Sequence, residues 1–250
     1  MLFLIALILL ISSFSSISSA SNCCDNPFQS SFFETKEVQE EINNILKMAQ
    51  EGDTESQLYA AEIYYEGLGV PQSYETAFYW YTITAKKGIK DAQSFLGLMY
   101  YYGEGVDKDY NEAAIWFQKA GEQDDITSQY FLGKMYSDGI GVKQDYDSAV
   151  VWYKRAADQG DDASQNSLGS MYYQGKGVPQ NYEEALRYYK SAAELGHSPS
   201  QYYLGTMYRD GLGIPRDTNE ALRWLKQSAD QGYENAIRAY EDLTIITDPK

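Results

Sequence analysis

The chain has 250 residues, which sets a starting expectation of one or two globular domains. Its formal net charge of −16 repels phosphate backbones and anionic lipid, which argues against nucleic acid and against polybasic docking on membranes. A single histidine removes His-rich metal sites and leaves little room for a Ser-His-Asp arrangement, while 24 tyrosines give the chain an unusual supply of aromatic contact surface.

Met1 to Ala20 differs from the rest. Leu2 to Ile11 is an unbroken apolar run, and the serine-rich stretch after it ends Ser18-Ser19-Ala20. The run is too short for a bilayer-spanning helix, and the small residues suit a signal peptidase. Residues 1–20 are therefore read as a secretory signal cleaved near Ala20, with no integral membrane span afterwards. Residues 21–35 read as a flexible linker. It carries the cysteines, Cys23 and Cys24, which are adjacent and so expected either as free thiols or as an intermolecular bridge linking two chains.

A helical half-unit follows. Val38, Ile42, Ile45, Leu46 and Ala49 have helical spacing, and residues 36–52 match the second half of a longer unit. That unit is announced by Tyr-x-x-Gly-x-Gly-Val. The phrase begins at Tyr64, Tyr100, Tyr136 and Tyr172, and again at Tyr208 with Ile214 in place of Val, so each step is 36 residues. A strict period of this size marks stacked repeats that share a continuous core. The repeats run about 55–91, 92–127, 128–163, 164–199 and 200–235, and a helix over 236–244 would cap the array, which extends over 36–250.

Within a repeat the first helix carries Leu-Gly-x-Met-Tyr, as at Leu132, Gly133, Met135 and Tyr136. A glycine inside a helix costs about 1 kcal/mol against alanine, so its recurrence predicts a close neighbour. The first glycine of Gly-x-Gly predicts a left-handed C-cap. Ser73, Asp109, Asp145, Asn181 and Asp217 then predict N-caps for the second helix. Glu112, Glu184 and Glu220, three residues after their caps, predict capping boxes. The second helix carries Ala-x-x-aromatic-aromatic, as in Ala113, Trp116 and Phe117. Gly88, Gly160, Gly196 and Gly232 close their units, whereas Asp124 in that place predicts a looser turn. His197, in the Gly196-His197-Ser198-Pro199 turn, reads as a solvent-exposed bystander.

These motifs resemble the Sel-1-like repeat, a relative of the tetratricopeptide repeat, over residues 36 to about 244. The resemblance implies an all-α, α/α superhelical solenoid of stacked antiparallel helix pairs, with the first helices lining the concave face. It implies no cofactor and no catalytic residue. One bacterial branch of the family carries paired cysteines and is linked to penicillin binding. This chain lacks those cysteines and has no Ser-x-x-Lys nucleophile.

The groove-facing positions lie three before and one, four and five after the Leu-Gly glycine. They supply Tyr65, Leu98, Tyr101, Tyr102, Lys134, Asn166, Tyr173, Tyr202 and Arg209 as candidate partner-binding residues. The expected function is a non-enzymatic scaffold that binds other proteins or peptides in the secretory pathway or outside the cell, or in the periplasm if bacterial. One specific form, implied by the resemblance, is an adaptor in endoplasmic-reticulum-associated degradation. The alternative is a bacterial-type cell-envelope hydrolase or glycan-binding protein.

Overall fold

The computed structural model describes Phe33 and residues 35–247. The signal-peptide reading, Cys23 and Cys24 lie outside those residues. Among the described residues the chain is all-α, with helix pairs stacked as an α/α solenoid and no strands. No helix among them is long and apolar enough to cross a membrane.

Twelve named helices follow in chain order: α1 Lys36–Glu51, α2 Thr54–Glu66, α3 Tyr74–Lys86, α4 Lys90–Tyr102, α5 Tyr110–Gly121, α6 Ile126–Asp138, α7 Tyr146–Asp158, α8 Asp162–Gln174, α9 Tyr182–Glu194, α10 Ser198–Asp210, α11 Thr218–Asp230 and α12 Glu234–Thr247. They form two compact units, one ending at Trp116 and one beginning at Phe117.

In the first unit, α1 buries Val38, Ile42, Ile45 and Ala49, placing Ile42 and Ile45 with Ile63 and Leu68 of the next pair. The main core joins Ala60, Ala61, Tyr81, Leu96, Met99 and Trp116. In the second unit the same positions recur as Leu168, Met171 and Tyr188, and as Leu204, Met207 and Trp224. The aromatic pair divides its work. Its second member lies against the first helix of its own pair: a Cβ on Gly133 would come within 2.6 Å of the Tyr153 ring, and one on Gly169 within 2.7 Å of Tyr189. This is the close neighbour that the helical glycines predict. Its first member packs on the preceding pair, as Trp224 does among Ala185, Tyr189 and Ala193.

The second glycine of Gly-x-Gly has a role that the sequence reading did not assign. Gly177 sits at φ +68°, and a Cβ there would lie 2.5 Å from the Tyr146 carbonyl oxygen in the preceding pair. Conformation and space both demand glycine at this junction.

Three expectations are corrected. The capping boxes close on one side only. Asp217 accepts the Glu220 N–H at 3.0 Å, but its own N–H donates to the Tyr208 carbonyl in the previous helix, and Glu220 turns instead to Arg223 and the Trp224 indole. The tyrosine carbonyl satisfies the cap donor before the glutamate can. The Asp124 turn is not looser: Asp124 takes φ 63° and keeps a closing bond, Asp125 N–H to Ala120 O at 3.1 Å, equivalent to that of Asp161 to Ala156. An aspartate tolerates this left-handed conformation better than most residues. His197 is half-buried and is the N-cap of α10, accepting the Ser200 N–H on Nδ1 at 3.3 Å. Asp53, Asp125 and Asp161 hold the same place elsewhere, caps of the first helices that the sequence reading passed over.

Buried glutamines bind successive helices together. Gln57, Gln129 and Gln201 each donate to the carbonyl eight residues earlier, near the end of the previous helix, at 3.0, 2.9 and 3.2 Å. Their own carbonyls accept from Lys87, Gln159 and Gln231, thirty residues later, at 2.7, 2.8 and 2.8 Å.

Candidate partner-binding faces

Each first helix buries its Leu and Met positions, and the candidate residues divide: Tyr65, Tyr173 and Tyr202 pack against the margins of the cores, while Tyr102 is exposed. In the first unit these include Tyr65, Leu98, Tyr101 and Tyr102. Tyr65 is half-buried, edge-on to Tyr74 at 5.2 Å and to Phe95 at 6.0 Å, and its hydroxyl donates to Glu104 at 2.8 Å. Tyr101 is edge-on to Tyr102 at 5.1 Å and to Tyr110 at 5.2 Å. Tyr102 is 53% exposed, and Leu98 is half-buried.

In the second unit, Tyr173 meets Tyr182 edge-on at 5.3 Å, while Tyr202 meets Tyr203 at 5.1 Å and Tyr233 at 5.5 Å. Tyr173, Tyr202 and Arg209 are brought within electrostatic reach of one another, and Arg209 is held by two bonds to Asp210 at 2.7 and 2.8 Å. Lys134 and Asn166 are less available. Lys134 pairs with Asp138 at 3.0 Å, and Asn166 Oδ1 accepts the Ser200 hydroxyl at 3.0 Å.

The tyrosines are thus seated by the repeat itself. The residue after the second-helix cap, Tyr74, Tyr110 or Tyr182, supports Tyr65, Tyr101 or Tyr173. Gln72 and Gln180 add a bond from their amide to the supporting hydroxyl, at 3.2 and 3.1 Å. These supports recur with the 36-residue period and were readable there.

Two acids on the same face were missed. Glu62 and Glu66 occupy the positions that Leu98 and Tyr102 hold one repeat later. The offset rule reaches them, but a search weighted toward aromatic and cationic residues passed them by. Burial, then Asp91 and Glu66, pushes the Glu62 carboxyl up to about 7. Burial and Glu104 push Glu66 up as well. Among the described residues, no group of three or more His, Cys, Asp or Glu is placed to hold a metal ion.

The Sel1 repeat model matches five consecutive stretches, 54–89, 90–125, 126–161, 162–197 and 198–233. The chain belongs to the Sel1 repeat family. Members of this family are generally protein-interaction scaffolds. Two solved structures are similar. A protective antigen of uropathogenic Escherichia coli strains, displaying an SLR fold, is 35% identical with a TM-score of 0.79, over 82% of this chain and 44% of its own. A Sel1 repeat protein from Oxalobacter formigenes is 34% identical with a TM-score of 0.71, over 83% of this chain and 78% of its own. This chain therefore spans less than half of the E. coli antigen. No curated protein matches it.

Proposed function

We propose that this Sel1 repeat chain is an extracytoplasmic scaffold that binds segments of other proteins on the outward faces of its first helices, without making or breaking bonds in them. The observation that carries the reading is the preset geometry of Tyr101, Tyr102, Tyr173 and Tyr202, held edge-on by neighbouring rings before any partner arrives. Rings already fixed lose little conformational freedom on binding, and Tyr and Arg are enriched in interface hot spots. The array would comprise the half-unit 36–52, five repeats and the terminal helix, following a cleaved leader.

The compartment reading rests on the leader. An adaptor that presents misfolded clients in the endoplasmic reticulum is one form of it, and a periplasmic scaffold is another. Both solved structures named above are bacterial proteins, which lends support to the second form.

The test is binding of the mature chain to immobilised peptide and glycan arrays. Peptide binding that the combined Tyr101→Ala, Tyr102→Ala and Arg209→Ala variant loses, with helical circular dichroism unchanged, is the expected result. Binding to glycans alone would replace this reading with the carbohydrate alternative. Amino-terminal sequencing of the secreted chain checks cleavage near Ala20.

A further inference from the structure

Two first helices, α2 and α8, are entered through closely related sequences, Gly52-Asp53-Thr54-Glu55-Ser56-Gln57 and Gly160-Asp161-Asp162-Ala163-Ser164-Gln165. The two segments fold alike. Gly52 and Gly160 are left-handed, at φ +102° and +95°. Asp53 and Asp161 accept the Ser56 and Ser164 N–H groups at 2.8 and 2.7 Å. Gln57 and Gln165 are buried, and each side-chain amide donates to the carbonyl eight residues earlier, Ala49 or Ala157.

In the first unit this frame holds an ammonium group. Lys87 Nζ donates to Gln57 Oε1 at 2.7 Å, to Thr54 Oγ1 at 2.9 Å and to the Gly52 carbonyl at 3.4 Å. In the second unit the corresponding acceptors are Gln165 Oε1, the half-buried Asp162 carboxylate and the Gly160 carbonyl, but the residue in the place of Lys87 is Leu195. Gln165 is 7% exposed, and its Oε1 has no hydrogen-bond partner. With a carboxylate where the first frame has a hydroxyl, the frame that lacks its own lysine carries the stronger acceptors.

An unmet buried acceptor is costly until a donor reaches it. An ammonium group carries three donors, one for each acceptor of the frame. We infer that the frame at Gln165 binds a lysine side chain of a partner protein, its ammonium on Gln165, Asp162 and the Gly160 carbonyl and its stem along Leu195. Leu195 is 60% exposed, so its side chain can turn aside to admit the ammonium and then lie against the aliphatic stem. This rests on the scaffold reading above and names the chemistry of one contact with the partner.

The probe is a pair of fluorescein-labelled peptides, identical except for a central Lys or Nε-acetyl-lysine. They are titrated into the mature chain at about 150 mM salt, where distant charges are screened, and at pH 7.5, where burial keeps the nearby His197 neutral. The Lys peptide is expected to bind at least about tenfold more tightly, a difference of about one charge-assisted contact. Leu195→Lys places the chain's own ammonium in the frame, as Lys87 does in the first unit, and should abolish that advantage while leaving the acetyl-lysine peptide unchanged. Adding Lys87→Leu to that variant frees the first frame and should restore part of the preference. Asp162→Thr, which copies the first frame, should cut the advantage by about threefold or more. Asp107→Asn, exposed in the loop after α4, should alter neither peptide.

Equal binding of the two peptides overturns the inference and leaves the scaffold reading intact; Gln165 would then be satisfied by water. A Lys advantage that survives Leu195→Lys overturns it too, as does an Asp107→Asn loss as large as that of Asp162→Thr, which would mean general attraction to an acidic protein. n-Butylammonium chloride should compete only weakly, and displacement of the Lys peptide at equal concentration would assign the frame to free amines and overturn the partner lysine. No binding by either peptide also overturns the inference, and the peptide array then decides separately whether the scaffold reading survives.

Discussion

Glu62 holds its proton more tightly in the folded chain than in the unfolded one, because burial and two nearby acids push it from 4.5 to about 7. A carboxyl with a raised folded value stabilises fully below its unfolded value and loses that contribution as pH climbs through the folded one. Glu62→Gln should therefore raise stability at about pH 8 by about 2 kcal/mol and change little at about pH 4, as read by urea unfolding. A variant no more stable than the parent at pH 8 would show that the buried carboxylate is better solvated than its surroundings imply. His197 has the opposite sign. Burial lowers it from 6.5, partly offset by Asp162 and Asp161, so it stabilises above 6.5 and loses that contribution as pH falls below it. Asn caps a helix as well as any residue and does not titrate in this range. His197→Asn should match the parent near pH 7.5 and gain on it steadily toward pH 5.5; parallel stability curves would contradict the buried cap.

The glutamine ladder between helices is interrupted at Gln165, and that break is a test of the element as a whole. Gln165 donates to the Ala157 carbonyl at 3.4 Å, but its Oε1 is buried without a partner. The residue thirty positions on, which is Gln159 for Gln129 and Gln231 for Gln201, is here Leu195, 60% exposed at the end of α9. Leu195→Gln should complete the rung. An unmet buried acceptor costs about 1–3 kcal/mol, so about 1 kcal/mol of gain and a rise in Tm of roughly 2–4 °C are expected for a chain of this length. A Tm unchanged or lowered would mean that the rungs are geometric coincidences of the repeat. The ladder was only half legible in the sequence. The buried Gln after each Ser or Ala repeats every 36 residues and was visible. Its two partners lie in separate helices, and only packing shows that they converge. The same holds at the turns. The first glycine of each Gly-x-Gly was readable as a C-cap from its place after a helix, whereas the second, at Gly105, Gly177 and Gly213, is set by a carbonyl from the preceding pair, which no local pattern reveals. Among the site residues, the offset from the core glycine selects Tyr101 and Tyr102 from the sequence alone, but their edge-on packing on each other and on Tyr110 is seen only in the fold. The offset could not show that Lys134 is occupied by Asp138, because that depends on rotamers chosen in the folded helix.

At the scale of the whole molecule, charge is the term that local reading leaves out. The helix surfaces carry ion pairs such as Arg187 with Glu184 at 2.7 Å and Lys226 with Asp230 at 3.3 Å, all well exposed. Exposed pairs of this kind are worth about 0.3–0.5 kcal/mol each, and salt weakens them. Taken alone they predict a chain that salt destabilises. Against them stands the excess of 36 acids over 20 bases, which no arrangement of pairs can neutralise. Self-repulsion of that excess opposes the compact state, and it too is screened once the Debye length falls to about 10 Å at 0.1 M salt. The repulsion sums over many charge pairs at moderate distance, where screening acts most strongly, while the ion pairs act at contact, where it acts least. The balance therefore favours the folded chain as salt is added. Tm should rise by a few degrees between about 10 mM and 200 mM sodium chloride at neutral pH, with most of the rise below about 100 mM, where the Debye length shortens fastest. Calorimetry across that range decides the sign. A falling Tm would mean that the surface pairs outweigh the net charge.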